Sequence, residues 1–340
     1  MTDFYRLPLA ERAERLRALA TAALARWGVH GCDPEILKVR ENAVFRVQAA
    51  DGHDAVLRVH RHGYHSDAAL RSELAWLEAL HADGIPAPAV IPSAAGERFE
   101  IVQSAGVPEP RQVDMLTWMP GFPIGTIEEG LNPAIADVPA VFEAVGRLAA
   151  RLHNQAEAWP QPTGFVRHAW DREGLVGPEP LWGRFWEAAV LSVEERRLID
   201  RARAQLHEDL TAYGRPTRRY GLIHADLNLD NMLFDGGRVI PLDFDDCGFG
   251  WHLFDLSTVW TLFHGSDLAE AMRSSVVEGY RRERDLPDEE FAHMPLFELG
   301  RAFSYLGWVH TRWETESAQA LAQEVAELVC TLADVYLRGK

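Results

Sequence analysis

The sequence predicts an α+β chain in two lobes, a small antiparallel-sheet N-lobe followed by a larger, mainly helical C-lobe, and three observations carry that expectation. Short alternating apolar runs crowd residues 36 to 117 and are broken by a single helical pattern. Beyond residue 121 the apolar residues recur at helical spacing over long stretches. Amid those helical stretches a single strand-turn-strand pattern, residues 221 to 242, carries a dense group of polar side chains.

Taken in order, residues 9 to 27 read as a packing helix with Leu16, Leu19, Ala20, Ala23, Leu24 and Trp27 on one face and Gly28 as its stop. Strands follow at Ile36–Val39, Ala43–Gln48 and Ala55–His60, the last two joined through the turn-forming Ala50-Asp51-Gly52-His53. Residues 67 to 81 form a helix that buries Leu70, Leu74, Leu77 and Leu80 and ends at Gly84. Phe99–Gln103 and Gln112–Thr117 complete a sheet of about five strands, and the lobe boundary falls at residues 118 to 121, before Pro120-Gly121 or at it. The expected division is a packing helix over 1–30, a sheet lobe with one helix over 31–118 and a helical lobe over 119–340. Within the catalytic lobe, Val141 to Leu152 make a helical face ending at His153 and Asn154, residues 193 to 213 another helix, and Leu321, Val325, Leu328, Leu332 and Val335 the face of the final one. Residues 159 to 186 stand apart, rich in proline, glycine and tryptophan, and read as an insertion of loop and short helix.

A chain of 340 residues with 47% hydrophobic and 25% charged residues is long enough for two cores. Its net charge of −17 disfavours nucleic acid and anionic membranes as partners. Cys32, Cys247 and Cys330 have no CxxC spacing and suit free thiols in a reducing cytosol. There is no run of signal-peptide type near the start and no stretch long enough to span a bilayer, so a cytoplasmic protein is expected.

The chemistry concentrates in Ile223-His224-Ala225-Asp226-Leu227-Asn228-Leu229-Asp230-Asn231 and in Leu242-Asp243-Phe244-Asp245. One strand delivers His224 and Asp226 into a loop. A hairpin turning at Asp235-Gly236-Gly237 brings a second strand back, carrying Asp243. Phosphoryl transfer asks for this set: one carboxylate to orient or deprotonate the attacking hydroxyl, and oxygen ligands to hold Mg²⁺ against nucleotide phosphates. Asp226 takes the first role, Asn231 and Asp243 the second.

HADLNLDN, then PLDFDD, then Phe254-Asp255-Leu256 resembles the aminoglycoside phosphotransferase and choline kinase superfamily, with its HxDxxxxN and DF-type motifs, over nearly the whole chain. RVHRHGYHS, LTWMPG and DFDDCGFG are most similar to its stress-response Ser/Thr kinase and type II homoserine kinase branch. The resemblance implies a two-lobed protein-kinase-like fold and an ATP- and Mg²⁺-dependent transfer to a hydroxyl, on a small metabolite or on protein Ser/Thr. A nucleotide-binding regulatory protein with little catalysis is the alternative, prompted by Arg58 and by a nucleotide turn without glycine around Asn42. Arg58 stands where kinases generally place a phosphate-contacting lysine, with Glu73 as its partner. Trp118 and Met119, where the last strand leaves the sheet, offer backbone groups to adenine and equally suit packing. His224, grouped with Asp226, supports the catalytic loop by hydrogen bonding. Asp255 braces that loop by accepting backbone N–H bonds, Asp230 faces solvent, and Asp246 caps the next turn. For the acceptor, the tryptophans at 159 to 186 with Trp251, His252, Trp308 and Trp313 suit either core packing or cation–π capture of an ammonium.

Overall fold

The computed structural model describes residues 4–40 and 42–339, and the chain divides into two compact units. The first comprises Met1–Pro120 with Pro160–Val166, the second Gly121–Trp159 with Arg167–Lys340.

Unit 1 is a five-stranded antiparallel sheet in the order β1-β2-β3-β5-β4, with β1 Glu35–Val39, β2 Ala43–Gln48, β3 Asp54–Val59, β4 Phe99–Val102 and β5 Arg111–Thr117. Alternation places Phe45, Val47, Ala55, Leu57, Val113 and Met115 on one apolar layer, where they meet Leu19, Ala20, Ala23 and Leu24 of α1, Leu9–Leu24. The N-terminal helix is thus part of this unit's core. Gly28 closes the short 3₁₀ turn after α1 in a left-handed conformation, φ 70°, that few side chains tolerate. The second helix, α2, spans Asp67–Ala82; the Ser66 hydroxyl caps its start, and Leu70, Leu74, Leu77 and Leu80 are all buried. The register of β3 on β5 sets Arg58 opposite Asp114. The 160–166 stretch, read from sequence as part of an insertion, belongs to this unit: the Val166 N–H donates to Ser72 Oγ of α2 at 2.8 Å.

Unit 2 is mainly helical. Its long helices are α3, Val138–Ala158, and the helices Val193–Tyr213, Asp267–Arg281, Met294–Thr311 and Glu316–Arg338. The first of these outruns its expected end by four residues, and buries His153, Gln155 and Ala156 in its last turns. It packs closely on Asp267–Arg281 through Gly146 and Gly279. A Cβ at either would come within 2.0 Å of a carbonyl of the other helix, Val276 O or Glu143 O. The final helix buries Ala318, Ala322, Val325, Ala326, Val329, Leu332, Ala333 and Tyr336. Its expected face is corrected here: Val325 and Leu332 are buried, but Leu321 and Leu328 are half-buried and Val335 is 60% exposed. The Leu/Val series recurs every 3.5 residues and drifts around a straight helix, whereas the alanines complete the true contact stripe.

Two small sheets frame the polar loops. Tyr220–Ile223 pairs antiparallel with Gly248–Trp251, which also takes Ala169–Trp170 in parallel. Met232–Asp235 pairs with Arg238–Pro241 through a two-residue turn at Gly236 and Gly237, both at positive φ, and with Phe122–Pro123 on its other edge.

Candidate active site

The strand Tyr220–Ile223 ends at His224, and the chain then bends through Ala225 at φ 66°, an uncommon conformation for a residue with a Cβ. Two buried groups hold that bend. Asp255, fully buried, accepts the Ala225 N–H at 2.6 Å and the His224 N–H at 3.3 Å, the bracing expected of it. On the other side of the peptide, Arg301 Nη1 donates to the Ala225 carbonyl at 2.9 Å. Burial pushes the Asp255 carboxyl up, to about 6, against the pull of His224 and of the loop N–H groups. His153 Nε2 lies 2.9 Å from Asp255 Oδ2, its Nδ1 lies 2.8 Å from the Tyr280 hydroxyl, and its ring stacks on His252 at 4.2 Å. Burial holds His153 and His252 well below the ordinary histidine range, so a neutral His153 ring links the Tyr280 hydroxyl to the Asp255 carboxylate beneath the loop.

His224 is wholly buried, and both ring nitrogens are engaged. Nε2 is 2.9 Å from the Leu242 carbonyl and Nδ1 accepts the Asp226 N–H at 3.3 Å. Burial lowers its pKa. The ring ties the Asp226 loop to the segment leading into Asp243.

Asp226 is held by three side chains. Asn231 Nδ2 donates to Oδ2 at 2.7 Å, Asn228 Nδ2 to Oδ1 at 3.0 Å, and Arg301 Nη2 also to Oδ1. Asn231 gives a further bond to the Asp226 carbonyl at 3.0 Å, so its amide nitrogen is spent on the loop. Asp243 follows Leu242, whose N–H donates to the Asn231 carbonyl at 2.8 Å; it is exposed and sits at φ 58°. Among the described residues no three His, Cys, Asp or Glu side chains cluster for a metal. Asn231 with Asp243 suits a cation that draws its other ligands from phosphate and water, as Mg²⁺ does.

The neighbouring acids behave less simply than expected. Asp230, read as solvent-facing, is half-buried, and its Oδ2 accepts the Ile127 N–H at 3.3 Å. Asp245 is buried. Asp246, read as a turn cap, accepts the Trp182 indole N–H on Oδ1 at 3.2 Å, and its carbonyl takes Trp170 Nε1 at 2.8 Å and His168 Nε2 at 3.0 Å. Buried Arg167 adds bonds to the carbonyls of Asp245 and Cys247.

In unit 1, Arg58 is buried and grips Asp114 bidentately, Nε to Oδ1 at 2.8 Å and Nη2 to Oδ2 at 2.7 Å. Glu73, the partner expected from sequence, is there too, at 2.9 Å from Nη2, and His60 Nε2 is 2.7 Å from Asp114 Oδ2. Burial alone would raise the Asp114 carboxyl; Arg58 and His60 overcome it and bring it down to about 2. Asn42 is buried, with Oδ1 accepting the Arg61 N–H at 3.2 Å, while Glu41 lies outside the described residues. Trp118 is 39% exposed with the Arg46 guanidinium 4.8 Å from its ring centroid, and Met119 is half-buried.

Sequence reasoning missed Asp114, Arg301, His153 and Arg167. Each meets its partner across 56 to 102 residues, and no local spacing announces such a pair.

The sequence profile of the Phosphotransferase enzyme family, APH, matches residues 34–293. The chain belongs to this family. Among solved structures, this APH phosphotransferase is similar to a microcompartment-associated aminopropanol kinase, at 35% identity and a TM-score of 0.82, covering 94% of this chain and 97% of the other. It is 25% identical over 313 residues to amicoumacin kinase of Bacillus subtilis (strain 168), 88% of this chain and 85% of that one. It is 31% identical over 172 residues to homoserine kinase of Neisseria meningitidis serogroup B (strain ATCC BAA-335 / MC58), 49% of this chain and 52% of that one. The two-lobed kinase-like α+β architecture and the transfer of phosphate to a hydroxyl acceptor therefore stand.

Proposed function

We propose that the protein is an ATP- and Mg²⁺-dependent kinase that phosphorylates the hydroxyl of a small amino alcohol. The observation that carries the phosphotransfer chemistry is the Asp226–Asn231 pair, in which one amide nitrogen fixes the carboxylate and the peptide that carries it. Asp226 orients the acceptor hydroxyl; as the acceptor oxygen bonds to the γ-phosphorus and the bond to the β-phosphate oxygen breaks, Asp226 takes the proton and ADP leaves. Asn231 Oδ1 and Asp243 would hold Mg²⁺, which when bound neutralises phosphate charge. Within unit 1 itself, nucleotide contact is proposed for the backbone of Trp118 and Met119, for the turn at Asn42 and for Arg58, whose guanidinium Asp114 and Glu73 hold. Similarity to an aminopropanol kinase over 94% of the chain supports an amino alcohol over a protein acceptor, and a net charge of −17 accords with a cationic substrate.

Three of the tryptophans already carry a cation of the chain itself. Trp182 carries Arg301 at 4.8 Å, Trp186 carries Arg203 at 3.7 Å, and Trp308 carries Arg312 at 5.5 Å, so the chain's own guanidinium groups lie over these rings. Trp170 and Trp251 are core residues.

A coupled assay of ADP release with 1-amino-2-propanol, ethanolamine, homoserine and a Ser/Thr peptide tests the reading, with Asp226→Asn as control. Acceptor-dependent turnover with an amino alcohol is expected. Turnover with the peptide alone overturns the acceptor class, and activity that survives Asp226→Asn overturns the mechanism.

One observation favours a second reading, a nucleotide-binding protein with weak catalysis. Arg58 faces two carboxylates in a buried cluster, a poorer phosphate grip than an unshared cation. Nucleotide binding without acceptor-stimulated ADP release would select that reading.

A further inference from the structure

Arg301 lies on the Met294–Thr311 helix with 0% side-chain exposure, beneath a carboxylate that is 17% exposed. A buried guanidinium is expensive unless its charge and its N–H groups are matched. Here the match is specific at the two terminal nitrogens, while Nε is buried without a hydrogen-bond partner among the described residues. Nη2 meets Asp226 Oδ1, and Nη1 meets the carbonyl of Ala225, the residue in the left-handed bend immediately before it. One planar fork thus fixes both the carboxylate and the peptide that carries it, which an ammonium point charge cannot do in the same geometry.

The guanidinium is itself enclosed by rings. Its carbon is 4.3 Å from the Tyr305 centroid, 4.8 Å from Trp182 and 5.7 Å from Phe254. Trp182 is held in turn. Its carbonyl accepts Thr311 Oγ1 at 3.1 Å, its indole N–H reaches Asp246, and Gly307 lets the helix approach so closely that a Cβ there would lie 3.1 Å from the Trp182 carbonyl oxygen. An aromatic enclosure, an obvious candidate for a substrate ammonium, is therefore filled from within.

We propose that Arg301 is the positioning residue of the phosphotransfer site, held by the Trp182, Tyr305 and Phe254 rings, and that it reserves Oδ1 of Asp226 so that Oδ2 meets the acceptor hydroxyl. This rests on the phosphotransfer reading above. Oδ1 already accepts from Arg301 and Asn228, whereas among the described residues Oδ2 accepts from Asn231 alone. A carboxylate oxygen has room for about two hydrogen bonds, which leaves the open place on Oδ2. Arg301, with no exposure, does not touch substrate and acts only through Asp226.

The test uses the full chain with ATP, Mg²⁺ and 1-amino-2-propanol, comparing wild type with Arg301→Lys, Arg301→Met and Trp182→Phe. Arg301→Met is expected to lower kcat at least 100-fold while KM for the acceptor and for ATP changes less than about threefold. Arg301→Lys, keeping the charge but not the fork, should recover part of kcat, and Trp182→Phe should lower kcat several-fold with the fold intact. If Arg301→Met fails to fold, Arg301→Lys and Trp182→Phe decide: kcat within threefold of wild type in both overturns the proposal. So does a loss in Arg301→Met that falls on KM alone. A wild-type chain that transfers phosphate to no hydroxyl overturns the phosphotransfer reading, and this role with it. An active wild type whose Arg301 variants match it overturns this role only.

Discussion

Asp114→Asn removes the charge that Arg58 and His60 share in unit 1 while keeping the side chain's shape. Asp114 is wholly buried, Arg58 nearly so, and the bidentate pair closes at 2.7 and 2.8 Å. The depression of its pKa from 3.8 to about 2 corresponds to about 2 kcal/mol of folded-state preference for the carboxylate. The variant also takes one of two carboxylates, Asp114 beside Glu73, from the guanidinium, and breaking a buried pair costs about 3–5 kcal/mol. A loss of about 3 kcal/mol at pH 7 is expected, since the asparagine carbonyl still accepts one N–H. Because a two-unit chain need not unfold in one step, the measurement is hydrogen exchange in peptides covering β3 and β5, beside urea denaturation. The pH dependence supplies a second check with a definite sign. A carboxylate with a depressed pKa stabilises above the unfolded value of 3.8 and loses that contribution as pH falls through about 2. Wild type should therefore lose stability relative to Asp114→Asn on acidification between those values. Unchanged protection of β3 and β5, or a variant within about 0.5 kcal/mol of wild type at pH 7, would refute the reasoning.

Asp255 should titrate in the opposite sense: its raised pKa gives a contribution that is full below 3.8 and lost as pH rises through about 6, so stability relative to Asp255→Asn should fall by up to about 3 kcal/mol between pH 4 and 7 in urea titrations. Asp226→Asn should retain nucleotide binding by calorimetry and lose about 10²–10⁴ in kcat, the usual scale for a positioned base. Chelating divalent cations with EDTA should abolish ADP release, and adding Mg²⁺ should restore it; full activity in EDTA would remove Asn231 and Asp243 from the roles proposed for them. Gly146→Ala should destabilise unit 2 by about 2–3 kcal/mol in thermal unfolding, because its Cβ would press on the Val276 carbonyl of the facing helix.

Much of this architecture is legible in the residues. Strand alternation at 43–48 and helical spacing at 70–80 place their elements to within a residue or so, and the glycine pair at 236 and 237 announces the turn between Met232–Asp235 and Arg238–Pro241. The functional loop is legible for the same reason: Asp226 and Asn231 sit five residues apart and bond directly. What supports them is not. Asp114 looks like any polar residue in a strand until the register of β3 on β5 sets it opposite Arg58. Arg58 itself follows the chain's composition, for Lys38 and Lys340 are the only lysines in the sequence. The face of the last helix is misread from sequence because large aliphatic residues draw attention that the alanines on the true stripe do not. Tryptophans signal an aromatic enclosure, yet only the fold reveals that an arginine from the chain fills one of them.

The left-handed bend at Ala225 also sets a timetable for synthesis. The residues that secure it arrive late: Asp255 follows by 30 positions and Arg301 by 76. At about 5–20 residues per second, a translating ribosome needs about 4 to 15 s after making Ala225 before it has made Arg301. During that interval the segment bearing Asp226 lacks the guanidinium that fixes it. Competence for phosphate transfer would then wait for the Met294–Thr311 helix, and a nascent chain stalled before it would carry the whole HADLNLDN segment without this restraint.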